Sequence, residues 1–166
     1  LIGALPVAVV NFIIVLIDLY YLYEIFSAKE YFTLPAVHKN SDYLRYFLTF
    51  YEQEIKKFLP NFAYTPADQQ LVFFILRNLV PAGLFIGEIR DRETLFVKLD
   101  FVIPGYRDFK VGEFLYSKKA EFFREKGIQK IYSEPGSKAH GSYLRRMGFV
   151  LDRSNRELNL YSRTIN

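Results

Sequence analysis

Cysteine is absent from the 166 residues, and histidine occurs only twice, as His38 and His140. Without cysteine there are no disulfides, no thiolate nucleophile and no cysteine-ligated zinc. Two histidines so far apart leave no basis for a histidine-rich metal site, and no metal is expected. An excess of charge of one sign is also missing. Twenty-two Lys and Arg face 18 Asp and Glu, a net charge of +4, and the two signs are interleaved. That pattern reads as a solvated surface with a preference for an anionic membrane face, and it argues against nucleic acid as the main partner. No Gly-x-Ser-x-Gly elbow is present, which speaks against a Ser-His-Asp hydrolase. There is no internal repeat and no low-complexity tract.

Apolar and aromatic residues are plentiful: 51% of the chain is hydrophobic, with 17 Phe and 13 Tyr. The length suits one domain, or one domain with an appendage. The appendage is residues 1–27. Its run LIGALPVAVVNFIIVLIDLYYLYEIF has only Asn11, Asp18 and Glu24 as strongly polar groups and is long enough to cross a hydrocarbon core of ~30 Å. Tyr20, Tyr21 and Tyr23 have the amphipathic rings favoured at a membrane interface. A carboxylate such as Asp18 inside a spanning helix costs about 2.5–3.5 kcal/mol. Because it lies seven residues from Asn11, the two share a helical face, read as a polar stripe packed on other helices. A buried helix of a soluble domain, or one packed on a partner subunit, is the alternative. Opening on Leu1, the chain is expected to be part of something longer. Lys29, His38, Lys39 and Arg45 follow the run and no base precedes it, which places the body of the protein on the cytoplasmic side.

Residues 28–40 read as a linker and 41–166 as the folded domain. Ser41 or Asp42 caps a helix that Pro60 ends. Three apolar, β-branched and aromatic runs, Gln70–Arg77, Pro81–Arg90 and Thr94–Ile103, predict an antiparallel meander. A helix follows over Val111–Lys126, stopped by Gly127, then a strand over Ile128–Ser133. A short helix over Ser137–Met147 is ended by Gly148, and a hairpin of Phe149–Asp152 with Glu157–Thr164 closes the chain. The predicted class is α+β: a mixed, mainly antiparallel sheet flanked by helices, preceded by the hydrophobic helix.

One junction stands out. In VIPGYRDFKVGEFLY a strand ends, a short basic loop follows and a helix opens, the arrangement in which free backbone N–H groups converge on an anion. Here the sequence resembles the GNAT superfamily of acyl-CoA-dependent N-acyltransferases. The resemblance is carried by Pro104-Gly105-Tyr106-Arg107, by the ungapped Arg107-Asp108-Phe109-Lys110-Val111-Gly112, by the helix in register after it, and by Met147-Gly148-Phe149 later. It implies an acyl-CoA co-substrate, acetyl-CoA or a longer one, with Val102 and Ile103 against the pantetheine arm. Arg107, Asp108, Phe109, Lys110, Val111, Gly112 and Glu113 would surround the pyrophosphate, and a small-molecule or peptide amine would be the acceptor. The match has departures. Lys110 stands where the motif has its first Gly, Glu113 puts an acid beside the cradle, and Leu144 occupies the position of a frequent Tyr, with Tyr143 one residue away. The first 26 residues resemble the last membrane helix of the bacterial inner-membrane proteins called YgjV-like.

Candidate catalytic residues follow from position. Asp100 shares the strand face of Val102 and can act as a general base, or it pairs with Lys98 or Arg107 as an edge charge. Glu88 on the neighbouring strand is a second candidate base. Tyr143 is a candidate acid for the leaving thiolate, or a packing aromatic. His140 is expected to be an exposed helix residue, and Glu134 to begin the Pro135-Gly136 turn. Two functions stay open: a membrane-tethered N-acyltransferase, or a catalytically inactive domain of the same fold serving as sensor or assembly module of a bacterial inner-membrane protein.

Overall fold

The computed structural model describes residues 4–27, 29–152 and 159–165, and the chain falls into two compact units, Leu1–Tyr31 and Phe32–Asn166. The described residues of the first unit are mainly one helix, α1 (Ala4–Ser27), apolar apart from Asn11, Asp18 and Glu24 among its larger side chains. Leu5–Ser27 has a mean hydropathy of 2.2 and is long and apolar enough to cross a membrane.

In the second unit seven strands form one sheet in the order β1-β2-β3-β4-β5-β7-β6. They are β1 (Phe32–Thr33), β2 (Gln70–Arg77), β3 (Val80–Ile89), β4 (Thr94–Val102), β5 (Lys130–Ser133), β6 (Val150–Leu151) and β7 (Tyr161–Thr164). Among the described residues only β4 and β5 run parallel. The class expected from the sequence is thus the class found. β2 and β3 are continuous apolar runs because both faces of the sheet are covered. One face packs Phe73, Phe85, Val97, Leu115 and Phe123; the other packs Leu44, Phe47 and Ile55 against Phe74, Leu84 and Phe101. Burying each such Phe or Leu is worth about 1.5–3 kcal/mol.

Several elements differ from expectation. Phe32–Thr33, inside the stretch read as linker, pairs with Arg77 and Leu76 as an edge strand. The helix after Ser41 breaks at Tyr51 into α2 (Asp42–Phe50) and α3 (Glu52–Lys56). The helix after the basic loop is interrupted as well. α4 (Lys110–Glu113) runs into a π turn, Phe114–Lys118, and then α5 (Ala120–Glu125). Widening the turn lets three consecutive residues, Phe114, Leu115 and Tyr116, all be buried. The stop at Gly127 is as expected. At φ +80 its N–H reaches Arg124 O, and Ile128 N–H reaches Phe123 O, the paired bonds of a left-handed helix cap. α6 (Lys138–Arg146) ends the same way at Gly148. β6 and β7 are antiparallel as predicted, with β7 inserted between β5 and β6. The connection between the two expected strands, and the start of the strand expected from Glu157, lie outside the described residues.

β4 sets up the site. Its pairing with β3 shifts between Ile86↔Leu99 and Gly87↔Val97, leaving Lys98 as an extra residue. Such a bulge reverses the side-chain alternation. Leu95 and Val97 belong to one core, Leu99 and Phe101 to the other. Pairing with β5 covers only Thr94 to Val97. Past that point the two parallel strands part, and β4 continues with its β5-side edge open.

Candidate active site

A cleft of about 520 Å³ opens where β4 and β5 diverge. Its floor is β4 from Leu99 to Val102. Its walls are the end of α3 with Phe58 and Leu59, the loop from Tyr106 to Gly112, and one face of α6. Because it reaches the open edge of β4, it is bordered by residues of both cores.

Asp100 lies at its floor and is 9% exposed. Its Oδ2 accepts hydrogen bonds from the hydroxyls of Tyr143 at 2.7 Å and Tyr116 at 2.8 Å. Burial raises the Asp100 pKa, and the two tyrosine hydroxyls oppose that rise. The tyrosines respond in kind: burial, then the nearby carboxylate, pushes both well above the ordinary phenol value. The bulge at Lys98 is what turns Asp100 toward these partners.

Two buried side-chain polar atoms have no hydrogen-bond partner among the described residues, Asp100 Oδ1 and His140 Nε2, and both residues line the cleft. Buried polar atoms are rarely left unpaired. His140, expected to be exposed, is 3% exposed, and burial lowers its pKa to about 4. It is neutral at physiological pH. Ser137 caps α6 by accepting the His140 N–H through its Oγ.

Tyr143, not Leu144, faces the cleft, while Leu144 is fully buried in the core. Gly112 lets the loop meet α6 closely. A Cβ there would lie 2.6 Å from both Met147 Sδ and the Tyr143 hydroxyl.

The expected anion loop is partly occupied by the protein itself. Arg107 donates from Nε to Val102 O at 3.0 Å and from its other end to Glu54 Oε2 at 3.2 Å. Asp108 pairs with Arg77 at 2.7 Å, and its Oδ1 accepts the Lys110 N–H at 3.2 Å. Ile103 donates its N–H to Ala82 O. Phe109 takes φ +67 and lies under the Arg146 guanidinium, 3.7 Å from the ring centre.

Asp100, Tyr143, Val102, Arg107, Phe109, Val111 and Gly112 therefore come together on the cleft, whereas Glu88, Ile103, Asp108, Lys110 and Glu113 do not line it. Glu88 is on the opposite face of the sheet and pairs with Arg90 at 3.2 Å. Lys110 and Glu113 are both exposed, so neither side chain fills the cradle. His140, Tyr116 and Arg146 were missed as site residues. The three-residue spacing of His140, Tyr143 and Arg146, one helical face, was the available signal; nothing in the sequence pointed to Tyr116.

No protein-family model and no curated protein matches the chain. Solved structures do. An acetyltransferase of the GNAT family from Staphylococcus aureus aligns over 82% of this chain and 100% of its own, at 16% identity and TM-score 0.57. An acetyltransferase from Salmonella typhimurium that modifies the N-terminal serine of a 50S ribosomal subunit protein aligns over 81% and 95%, at 12% identity and TM-score 0.62. A ribosomal-protein alanine N-acetyltransferase from Escherichia coli aligns over 82% and 95%, at 12% identity and TM-score 0.56. The second unit thus has the fold of GNAT acetyltransferases.

Proposed function

We propose that the second unit binds an acyl-CoA in the cleft at the parting of β4 and β5 and transfers its acyl group to an amine. One observation carries this reading: the two unpaired buried atoms, Asp100 Oδ1 and His140 Nε2, border one cleft at the open end of a split parallel pair. The open main-chain edge at Asp100 and Val102 suits an amide-bearing pantetheine arm, although Arg107 already holds the Val102 carbonyl. The diphosphate would meet the amides at Val111 and Gly112, at the start of the helix, with the guanidinium of Arg146 beside them.

The protein's part is then proton handling and exclusion of water. Transfer forms a C–N bond and breaks a C–S bond; the amine gives up a proton and the leaving thiolate takes one. Asp100, its basicity raised by burial, accepts the amine proton at Oδ1. Tyr143, hydrogen-bonded to the same carboxylate, supplies a proton to sulfur and is restored from Asp100. Such acid–base assistance is worth about 10²–10⁴ in rate. His140 offers a second polar contact to the amine.

We read α1 as a membrane span that tethers this unit to a bacterial inner membrane on its cytoplasmic side. Support comes from its length, its hydropathy and the exposure of all its large apolar side chains.

The second reading is a binding module without turnover. It is favoured by Arg107 and Asp108, which are committed to protein partners. Thermal unfolding of the full chain in detergent, with acetyl-CoA or a longer acyl-CoA, separates the two. Ligand at 100 times its Kd adds about 2.7 kcal/mol of stability. Thiol release with an amine panel can be followed with a disulfide reagent free of background, because the chain has no cysteine. A shift with thiol release supports the enzyme, and a shift without it supports the module. No shift at millimolar ligand overturns both.

A further inference from the structure

A solvated helix ordinarily turns charge outward. α2 turns aromatic rings outward instead. Leu44 and Phe47 face the core, while Tyr43, Tyr46 and Phe50, one stripe at spacings of three and four, are 54%, 68% and 80% exposed. The stripe borders an open groove whose other rim is Pro81 and Ile103. One residue before Pro81, across Val80, is the two-residue turn Asn78–Leu79, both at positive φ. Leu79 is 80% exposed and Val80 is 48% exposed. At φ +66 a leucine is strained where glycine or asparagine would be relaxed. Folding therefore gains little from this leucine through burial and loses through the backbone. An apolar tip is kept at the expense of the turn.

The position of this surface in the chain says what covers it. Phe32 pairs with Arg77, the residue just before the turn. α1 ends at Ser27. The few residues between them can extend at most ~3.3–3.6 Å each, so whatever surface α1 occupies is within reach of this edge of the sheet. Exposed tyrosine rings are favoured at the membrane–water interface, and phenylalanine and leucine beside them add apolar area. Arg45, beside the stripe, is paired with Asp42 at 2.7 Å, so the two charges nearest the rings offset one another.

Resting on the reading of α1 as a span, we propose that Tyr43, Tyr46, Phe50, Leu79 and Val80 form a docking face that lies in the interfacial zone of the same lipid bilayer. The second unit is then held against the membrane along one side, not suspended from it.

The chain has no tryptophan, so one introduced tryptophan reports its own surroundings. The full chain is reconstituted in phosphatidylcholine vesicles with or without brominated acyl chains, as four single variants. Leu79→Trp and Phe50→Trp probe the face, and Val15→Trp probes α1. Glu125→Trp is the control, since α5 ends beside Gly127, next to Arg92 at the other end of β4. Blue-shifted emission from Leu79→Trp and Phe50→Trp, quenched by bromine near the carbonyl end of the lipid chains, with water-like emission from Glu125→Trp, is the expected result. Water-like, unquenched emission from both face variants overturns the docking face, whatever Val15→Trp shows. Blue-shifted emission that brominated lipid does not quench overturns it too, and means that protein, a second copy or another subunit, covers the patch. Failure of Val15→Trp to be quenched by deep bromine removes the span by itself.

Discussion

The hydroxyl of Tyr143 donates a 2.7 Å hydrogen bond to Asp100 Oδ2, an oxygen that Tyr116 also reaches at 2.8 Å. Two phenols on one carboxylate oxygen leave the other oxygen unpaired at the cleft floor. Each such bond to a charged group is worth about 1.5–3 kcal/mol, and both hold the Asp100 pKa down against burial. Removing either hydroxyl should let it rise. Tyr116→Phe and Tyr143→Phe are both expected to move the acidic limb of the pH–rate profile to higher pH. Only Tyr143→Phe, which loses a group lining the cleft, should also lower the pH-independent rate, by about 10²-fold or more. Equal rate losses in the two variants would assign Tyr143 a positioning role alone.

Asp100→Asn should fold and still bind acyl-CoA, because the replacement is isosteric and removes a buried charge. Its turnover should fall by about 10²–10⁴. Ligand-induced thermal shift and thiol release, measured on the same preparation, check the two halves separately.

Gly112→Ala puts a methyl group 2.6 Å from the Tyr143 hydroxyl and Met147 Sδ. Met147 can give way, but Tyr143 is held by Asp100. Overpacking of this kind costs about 1–3 kcal/mol. The expected outcome is a lower midpoint in denaturant together with a changed pH profile, as Tyr143 leaves the carboxylate. An unchanged midpoint would mean that α6 moves freely away from the loop.

His140 has a folded pKa of about 4 against an ordinary 6.5. The unfolded chain therefore binds this proton first. Its neutral form supports stability fully above pH ~6.5, and that support is lost as pH falls toward 4, by roughly 3 kcal/mol over the window. Urea unfolding of the native chain and of His140→Asn across this range tests it. The variant should lack this part of the decline, and a parallel decline in both would place the proton elsewhere.

Leu79→Gly relieves a side chain at φ +66 that is 80% exposed. Relief of such strain is worth about 1–3 kcal/mol, partly offset by the greater entropy of glycine in the unfolded chain. Unfolding of the detergent-solubilised chain should occur at equal or higher temperature, and a clear drop would show that the leucine packs on the fold after all.

The candidate site was only partly readable. Arg107, Val111 and Gly112 were found because a strand, a short loop and a helix start leave a local signature. That Arg107 would turn back to Val102 and Glu54 was not readable, since Glu54 is 53 residues away. Tyr143 is a candidate from the sequence, but local spacing does not decide between it and Leu144. The rotation of α6 is set by Leu144 and Met147 entering the core, not by local spacing.

By itself the sequence determined the order of the main elements, the apolar meander, the glycine stops at Gly127 and Gly148, and a long apolar N-terminal helix. These are local consequences of side-chain period and backbone freedom. Only the tertiary structure decided where Asp100 points. In TLFVKLDFVI apolar residues hold every second position from Leu95 to Phe101, and strict pleating would put Asp100 on the face opposite Leu95 and Val97. Pairing with β3 inserts Lys98 as a bulge and turns Asp100 to the side where Tyr116 and Tyr143 meet it. A bulge belongs to the register between two strands, and the π turn that brings in Tyr116 belongs to the packing of a helix on that sheet. Neither is a property of one segment, because each lowers free energy only when its neighbour is in place.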